Sequence, residues 1–154
     1  MPTTWFNGEV IDIIDETPSV KRFLLRVKEV NDFTFKAGQF ITFDLPVSDK
    51  RINRWRSYSI ANAPAGDNII ELCIVRKYDG MASTYLFEEV TIGSELKFKG
   101  PDGNFTLPEN ISETNLVLIC TGTGIAPFRS MIQHIRNNHI LYNSIHLIFG
   151  ARFE

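Results

Sequence analysis

Two hydrophobic periods divide this chain of 154 residues. Up to about Pro108 the apolar positions come in short runs broken by turn residues. "GEVIDIID" (Gly8–Asp15) and "VKRFLLRV" (Val20–Val27) are β-branched and apolar, and the turn "ETPS" separates them. In "FITFDLP" the residues Ile41, Phe43 and Leu45 alternate with Thr42 and Asp44, which suits a half-buried strand. "RSYSIA" (Arg56–Ala61) and "NIIELCIVRK" (Asn68–Lys77) read as the next strands, with the loop "NAPAGD" between them. "SELKFKG" and "NFTL" close the region as strands around the turn "GPDG" (Gly100–Gly103). One stretch, "STYLFEEV" (Ser83–Val90), reads as a single short helix. Several short strands with regular turns and one helix predict an antiparallel barrel or sandwich.

Beyond Pro108 the period changes. "NLVLIC" (Asn115–Cys120) is a continuous apolar run, as expected for a parallel strand covered on both faces. Pro127 suits a first helical turn, and Phe128, Met131, Ile132 and Ile135 recur at i, i+3, i+4 and i+7, predicting an amphipathic helix that ends at "NN". "SIHLIFGA" (Ser144–Ala151) is a second apolar strand, so this part predicts one right-handed βαβ unit.

Composition narrows the chemistry by exclusion. A formal net charge of −2 gives no general electrostatic reason to bind nucleic acid or an anionic membrane. The local basic run "DKRINRWR" (Asp49–Arg56) reads as a solvated loop, Arg56 apart. Cys73 and Cys120 are the only cysteines, each inside an apolar run, and read as buried reduced thiols with no disulfide framework, zinc site or iron–sulfur cluster. His134, His139 and His146 form no metal set, and the two on the predicted helix, five apart, do not share a face. The start "MPTTWFNGEV" is unlike a signal peptide and no apolar run is long enough to span a bilayer, so a cytoplasmic location is expected.

Three stretches carry candidate chemistry. "RWRSYSIAN" offers the Arg56 guanidinium for phosphate oxygens, the Tyr58 ring for stacking, and the Ser57 and Ser59 hydroxyls for hydrogen bonds. In "YDGMASTYLF", Gly80 allows a tight turn, and Ser83 or Thr84 is expected to cap a helix whose first amides make an anion site. "GPDGNF" reads as a rigid turn. Singly, these are an ordinary strand aromatic, an ordinary N-cap and an ordinary β-turn. The fourth motif, "TGTGIAP" (Thr121–Pro127), joins the apolar strand to the helix and reads as a nucleotide-phosphate loop. It is Gly-x-Gly-x-x-Pro, and a lone Gly-x-Gly is weak evidence.

In order, Arg-x-Tyr-Ser, Gly-x-x-Ser-Thr, Gly-Pro-x-Gly-x-Phe and Gly-Thr-Gly-Ile-Ala-Pro resemble the ferredoxin–NADP reductase superfamily, from "AGQF" (Ala37–Phe40) through "FGAR" (Phe149–Arg152). The resemblance implies a mainly β fold. An antiparallel Greek-key flavin-binding β-barrel with one short helix would occupy residues 1–110. A truncated α/β (βαβ) segment, the N-terminal part of an NAD(P)-binding Rossmann-like domain, would occupy residues 111–154.

The resemblance also implies residue roles. Arg56 and Ser57 belong to the flavin-binding strand, with Arg56 on the flavin phosphate. Tyr58 stacks on the isoalloxazine, and Ser59 lies near N5, where hydride arrives. Ile74, Val75 and Arg76 run beside the ribityl and pyrimidine portions. Gly80, Met81, Ala82, Ser83 and Thr84 hold phosphate with amides and a hydroxyl. Thr121, Gly122, Thr123, Gly124, Ile125, Ala126 and Pro127 face the nicotinamide nucleotide, and Arg152 lies near its adenosine end.

Function follows from the same resemblance. A flavoprotein, with FAD favoured over FMN on family frequency, would pass electrons between NAD(P)H and a protein acceptor such as ferredoxin, an oxygenase component or a haem protein. No Asp or Glu occurs between Glu113 and Glu154, so the acidic residue that usually follows such a loop does not choose NADH or NADPH. The nucleotide domain of this superfamily normally has about five strands, and two are present. The chain therefore reads as a fragment of a longer reductase or as a short form completed by another subunit, with self-association expected through the exposed sheet. The alternative function is a flavin-binding electron-transfer or regulatory module without NAD(P)H turnover. A flavin-free scaffold leaves Arg56, Tyr58, Ser59 and Ser83 without a role.

Overall fold

The structure, a computed structural model, describes residues 4–151. Eight strands and three helices follow one another as β1 (Trp5–Thr17), β2 (Val20–Val27), β3 (Phe40–Asp44), α1 (Arg51–Arg54), β4 (Trp55–Ser59), β5 (Ile69–Val75), α2 (Met81–Glu88), β6 (Glu95–Asp102), β7 (Asn115–Thr121), α3 (Ala126–Asn137) and β8 (Ser144–Gly150). Short 3-10 turns occupy Ile111–Glu113 and Gly122–Ile125.

The first six strands form one antiparallel sheet in the order β4-β3-β6-β1-β2-β5, and β7 and β8 form a separate parallel pair. The period-two patterns set the register. Phe23 faces Leu72, Leu25 faces Ile70, and Phe43 faces Phe98, so each strand sends alternate residues into one core. Phe23, Leu25, Ile41, Phe43, Ile70, Leu72, Ile74, Leu96 and Phe98 are all fully buried there. Each such side chain contributes roughly 1.5–3 kcal/mol on burial. Phe6, Phe33, Phe43 and Phe98 meet in edge-on and stacked pairs. Register shifts at Val10/Asp12 and Asp15/Thr17 let the long β1 bend, pairing its start with β6 and most of its length with β2. The sheet thus rolls until its edges touch: Ile60, just past β4, bridges Leu72 of β5, and the Ala61 N–H donates to the Glu71 carbonyl at 2.7 Å. That contact is one bridge, not a continuous ladder.

Three expectations are corrected here. Arg51–Arg54 is a helical turn rather than a loop, because the Ser48 hydroxyl accepts the Lys50 N–H at 3.2 Å and the Asn53 amide at 3.3 Å. "NFTL" is not a strand: Gly103 takes φ +105°, and Phe105 leaves the sheet to place its ring 5.7 Å from Phe128 of α3. "GPDG" is not a free turn either, since β6 continues through Asp102, paired with Phe40.

α3 packs one face of the β7–β8 pair, joining Phe128 and Met131 to Leu118 and Ala37. Its opposite face is not covered as the apolar run predicts: Val117 is 56% exposed, Ile119 66% and Ile148 56%. No helix among the described residues is long and apolar enough to cross a membrane.

Gly38, in the loop before β3, is packed tightly between the Phe105 backbone and Met131 of α3. It has φ +103°, and an added Cβ would stand 2.1 Å from the Phe105 carbonyl oxygen and 2.4 Å from Met131 Cε. Backbone strain and overpacking then act together, so Gly38→Ala is expected to cost about 3 kcal/mol or more. Gly93→Ala, at φ +90° with open space around it, is expected to cost only about 1–2 kcal/mol. Urea unfolding of the two variants checks the difference.

Candidate functional site

β4 is short because Arg54–Trp55 leaves α1 and Ser59 reaches the seam where the sheet edges meet. Alternation on β4 places Arg56 and Tyr58 on one face and Ser57 and Ser59 on the other. Tyr58 is half-buried against Phe43, ring centroids 5.8 Å apart, and burial pushes its phenol above the usual range while the Arg56 charge opposes this. The phenol therefore stays protonated and neutral across the physiological range. The Arg56 Nη1 donates to the Ile52 and Trp55 carbonyls, each at 2.7 Å, which holds the guanidinium against α1 with its other donors available. Ser57 shares a hydrogen bond of 2.8 Å with Thr42, and Ser59 is half-buried beside Phe40. Arg51, read from the sequence as solvated, lies 4.7 Å over the Trp55 ring.

β5 leads from the seam to α2. Ile74 is 1% exposed and belongs to the core, so only its backbone is available to a ligand. Val75 is exposed, and the Arg76 guanidinium is paired with Glu88 of α2. The N-cap of α2 is Gly80, not Ser83 or Thr84 as expected, and no side chain caps it. Ser83 is buried one turn in: its hydroxyl accepts the Lys77 N–H at 3.0 Å and donates to the Gly80 and Lys77 carbonyls at 3.1 and 3.2 Å. Its proton thus ties down the 77–80 turn instead of facing outward. A Cβ at Gly80 would stand 2.7 Å from that hydroxyl oxygen, which is why glycine suits the position. Met81 is exposed, Ala82 buried and Thr84 half-buried. The first-turn amides of α2 have neither a capping side chain nor an acidic residue beside them. That is the donor chemistry of an anion site.

The glycine turn lies between β7 and α3 and packs against β5. Gly122 takes φ +51° with open space around it, Thr121 and Gly124 are exposed, and Thr123 and Ile125 are half-buried. Ala126 is buried under the helix and Pro127 stands in its first turn. Arg152 lies outside the described residues. The structure therefore brings the end of β4 against β5 at the seam and the glycine turn against β5, with α2 following β5. Two open surface pockets among the described residues lie elsewhere, beside Thr4 and Lys99–Asp102 (about 300 Å³) and beside Pro46, Ser48, Asp49 and Arg54 (about 480 Å³).

Over residues 7–107, two thirds of its length, the sequence matches the oxidoreductase FAD-binding domain family, and over residues 118–154 the oxidoreductase NAD-binding domain family. The chain belongs to the ferredoxin–NADP reductase superfamily. It is 31% identical over 150 residues to a ferredoxin–NADP reductase B of Sorangium cellulosum, covering 97% of this chain and 59% of that protein. It is 31% identical over 134 residues to a glycine betaine monooxygenase reductase subunit of Chromohalobacter salexigens, covering 84% of this chain and 36% of that protein. An Amycolatopsis cytochrome P450 reductase superposes with a TM-score of 0.83 at 29% identity, over 99% of this chain and 44% of that one. A Neisseria gonorrhoeae ferredoxin NADP+ reductase with bound FAD and NADP superposes at 0.79 and 26%, over 99% of this chain and 59% of that one. The chain thus spans well under two thirds of these relatives.

The residues that tie α3 to the first sheet carry no motif in the sequence. Arg129 Nη1 of α3 donates to the Ala61 carbonyl at 2.8 Å and pairs with Glu71 Oε1 at 2.7 Å. Ser130 donates to the Asn62 carbonyl at 2.6 Å, and the Ala63 N–H donates to Gln133 Oε1 at 3.2 Å. One signal was available: Glu71 is a lone charge inside "NIIELCIV", where an apolar residue is expected.

Cys73 and Cys120 are free and half-buried rather than buried. Burial raises both thiols above their ordinary range, and the Glu16 and Glu71 carboxylates raise Cys73 further. A raised thiol is protonated at neutral pH and is a poor nucleophile. Iodoacetamide labelling followed by mass spectrometry is therefore expected to run slower than for glutathione at pH 7.5 and to go on rising with pH after the glutathione rate has levelled off.

Proposed function

We propose that this chain is the flavin-bearing part of an NAD(P)H-dependent reductase that passes electrons to a protein acceptor. That it is a flavin oxidoreductase domain of its superfamily rests on the family matches. The observation that carries the finer reading is the seam: Ile60, just past the Tyr58–Ser59 end of β4, bridges Leu72 of β5, and β5 in turn packs against the Gly122–Ile125 turn.

The residues present fit a flavin nucleotide on their own chemistry. The α2 amides, with no capping side chain and no carboxylate in the first turn, suit phosphate. Arg56 has guanidinium donors beyond the one bound to the α1 carbonyls and supplies a charge-assisted contact to the same group. Tyr58 offers a neutral aromatic face held by Phe43. Ser59 supplies a hydroxyl at the end of the strand, one residue before the seam bridge at Ile60. When bound, the flavin supplies the redox chemistry, accepting hydride at N5 and passing electrons onward, while the protein orients it and excludes competing contacts. FAD is favoured because a superposed reductase holds FAD together with NADP. The names of relatives, among them a monooxygenase reductase subunit and an anthranilate 1,2-dioxygenase electron transfer component, support an oxygenase component as acceptor, with ferredoxin or a haem protein as the other classes.

Purified protein is expected to be yellow and to release FAD on heating. Anaerobic NADH or NADPH is expected to bleach its absorbance near 450 nm, at a wavelength set by the flavin alone. Flavin-loaded protein that neither nucleotide bleaches would make the chain a flavin-binding electron-transfer module instead; colourless protein that takes up no added flavin would overturn both readings. Arg56→Ala is expected to weaken flavin retention about tenfold or more, as loss of a charge-assisted hydrogen bond implies. Equilibrium dialysis against FAD measures that change.

A further inference from the structure

One cluster of charged groups is buried at the join of the sheets, outside the flavin and glycine-turn residues. The Glu71 side chain on β5 is only 10% exposed, and Arg129 from the first turns of α3 pairs with it at 2.7 Å. Arg22 of β2 approaches the same Glu71 oxygen at 3.3 Å and is itself paired with Glu16. The Glu71 N–H donates to Asn62 Oδ1 at 2.8 Å, and Ala61 and Asn62 offer their carbonyls to Arg129 and Ser130. Three α3 side chains therefore address three successive residues, 61 to 63, immediately beyond Ser59 and the seam bridge.

We propose that Glu71 is a positioning residue that sets the orientation of α3, and with it the Gly122–Ile125 turn, relative to the Tyr58–Ser59 end of β4. Apolar contacts among Ala37, Phe128 and Met131 fix how close α3 lies, but a packed apolar face resists sliding and rotation only through shape. The ion pair adds direction. Arg129 is forked between the Glu71 carboxylate and the Ala61 carbonyl, and that carboxylate is anchored to the sheet by Arg22. Rotation of α3 breaks both contacts at once. Hydride transfer needs donor and acceptor atoms about 3–3.5 Å apart, and a misplacement of about 1 Å can cost about a hundredfold in rate. This consequence for rate rests on reading the glycine turn as the nicotinamide loop; the consequence for α3 does not.

The test uses the full chain loaded with FAD, comparing Glu71→Gln, Arg129→Met, Arg129→Lys and Arg22→Met by amide hydrogen exchange and by anaerobic stopped-flow reduction with NADH or NADPH. Glu71→Gln and Arg129→Met are expected to speed exchange about tenfold at residues 61–63 and in the first turn of α3, leaving β2 and β3 unchanged. Reduction at saturating nucleotide is expected to slow about tenfold with nucleotide affinity nearly constant. Arg129→Lys, which keeps the charge, is expected to recover most of both effects. Arg22→Met, which removes the carboxylate's weaker partner on the sheet side but leaves its contact with α3, is expected to show a clearly smaller effect than Glu71→Gln. Unchanged exchange in Glu71→Gln and Arg129→Met, exchange raised uniformly over both sheets, or Arg22→Met matching Glu71→Gln would overturn the proposal. So would local loosening with an undiminished reduction rate. If neither nucleotide reduces the wild type, the reductase reading fails, and the exchange pattern alone decides the role of Glu71.

Discussion

A carboxylate buried at a sheet edge must be paired, and at Glu71 the pairing comes from another part of the chain. Arg129 reaches it from α3, and Arg22 reaches it from β2. Leaving such a charge uncompensated costs on the order of 3–5 kcal/mol, so the seam and α3 are energetically one unit. Everything near the candidate site is referred to this join. β4 ends there, β5 passes through it, and the glycine turn precedes the helix that is anchored to it.

Two kinds of force act at different ranges in this arrangement. The rolled sheet is held by its phenylalanine-rich core, in which Phe6, Phe33, Phe43 and Phe98 pack ring on ring. That core is non-directional and tolerant, and it supplies most of the stability. The junction between the sheets is small and largely polar, with successive residues 61, 62 and 63 matched to Arg129, Ser130 and Gln133. Hydrogen bonds of this kind contribute modestly to stability but specify relative orientation. The molecule thus separates the task of staying folded from the task of aligning two binding segments.

The ligand-facing surface is less specialised than its motifs suggest. Ile74 and Ala126 are core residues, and Ser83 spends its hydroxyl on the 77–80 turn. In these places the motif describes a backbone path, with side chains chosen to hold that path. Gly80 shows the same logic, since a Cβ there would collide with Ser83. On the proposed reading, phosphate would be held mainly by main-chain amides at the α2 N-terminus, supplemented by Arg56.

The sequence by itself determined the strands, the two helices α2 and α3, the change of period after Pro108 and the order of the four motifs. These are legible because alternation and helical spacing are local, and because glycine, proline and the Arg-x-Tyr-Ser run mark positions within a few residues of each other. The tertiary structure alone decided what the local pattern does not encode. It bent "NFTL" away from the sheet toward Phe128, made Gly80 the cap of α2, left Val117 and Ile119 exposed, and buried Glu71. Each of these depends on a partner distant in the chain, such as Arg129, which is 58 positions from Glu71. A carboxylate in an apolar run looks like an exception until the arginine that neutralises it has been folded into place.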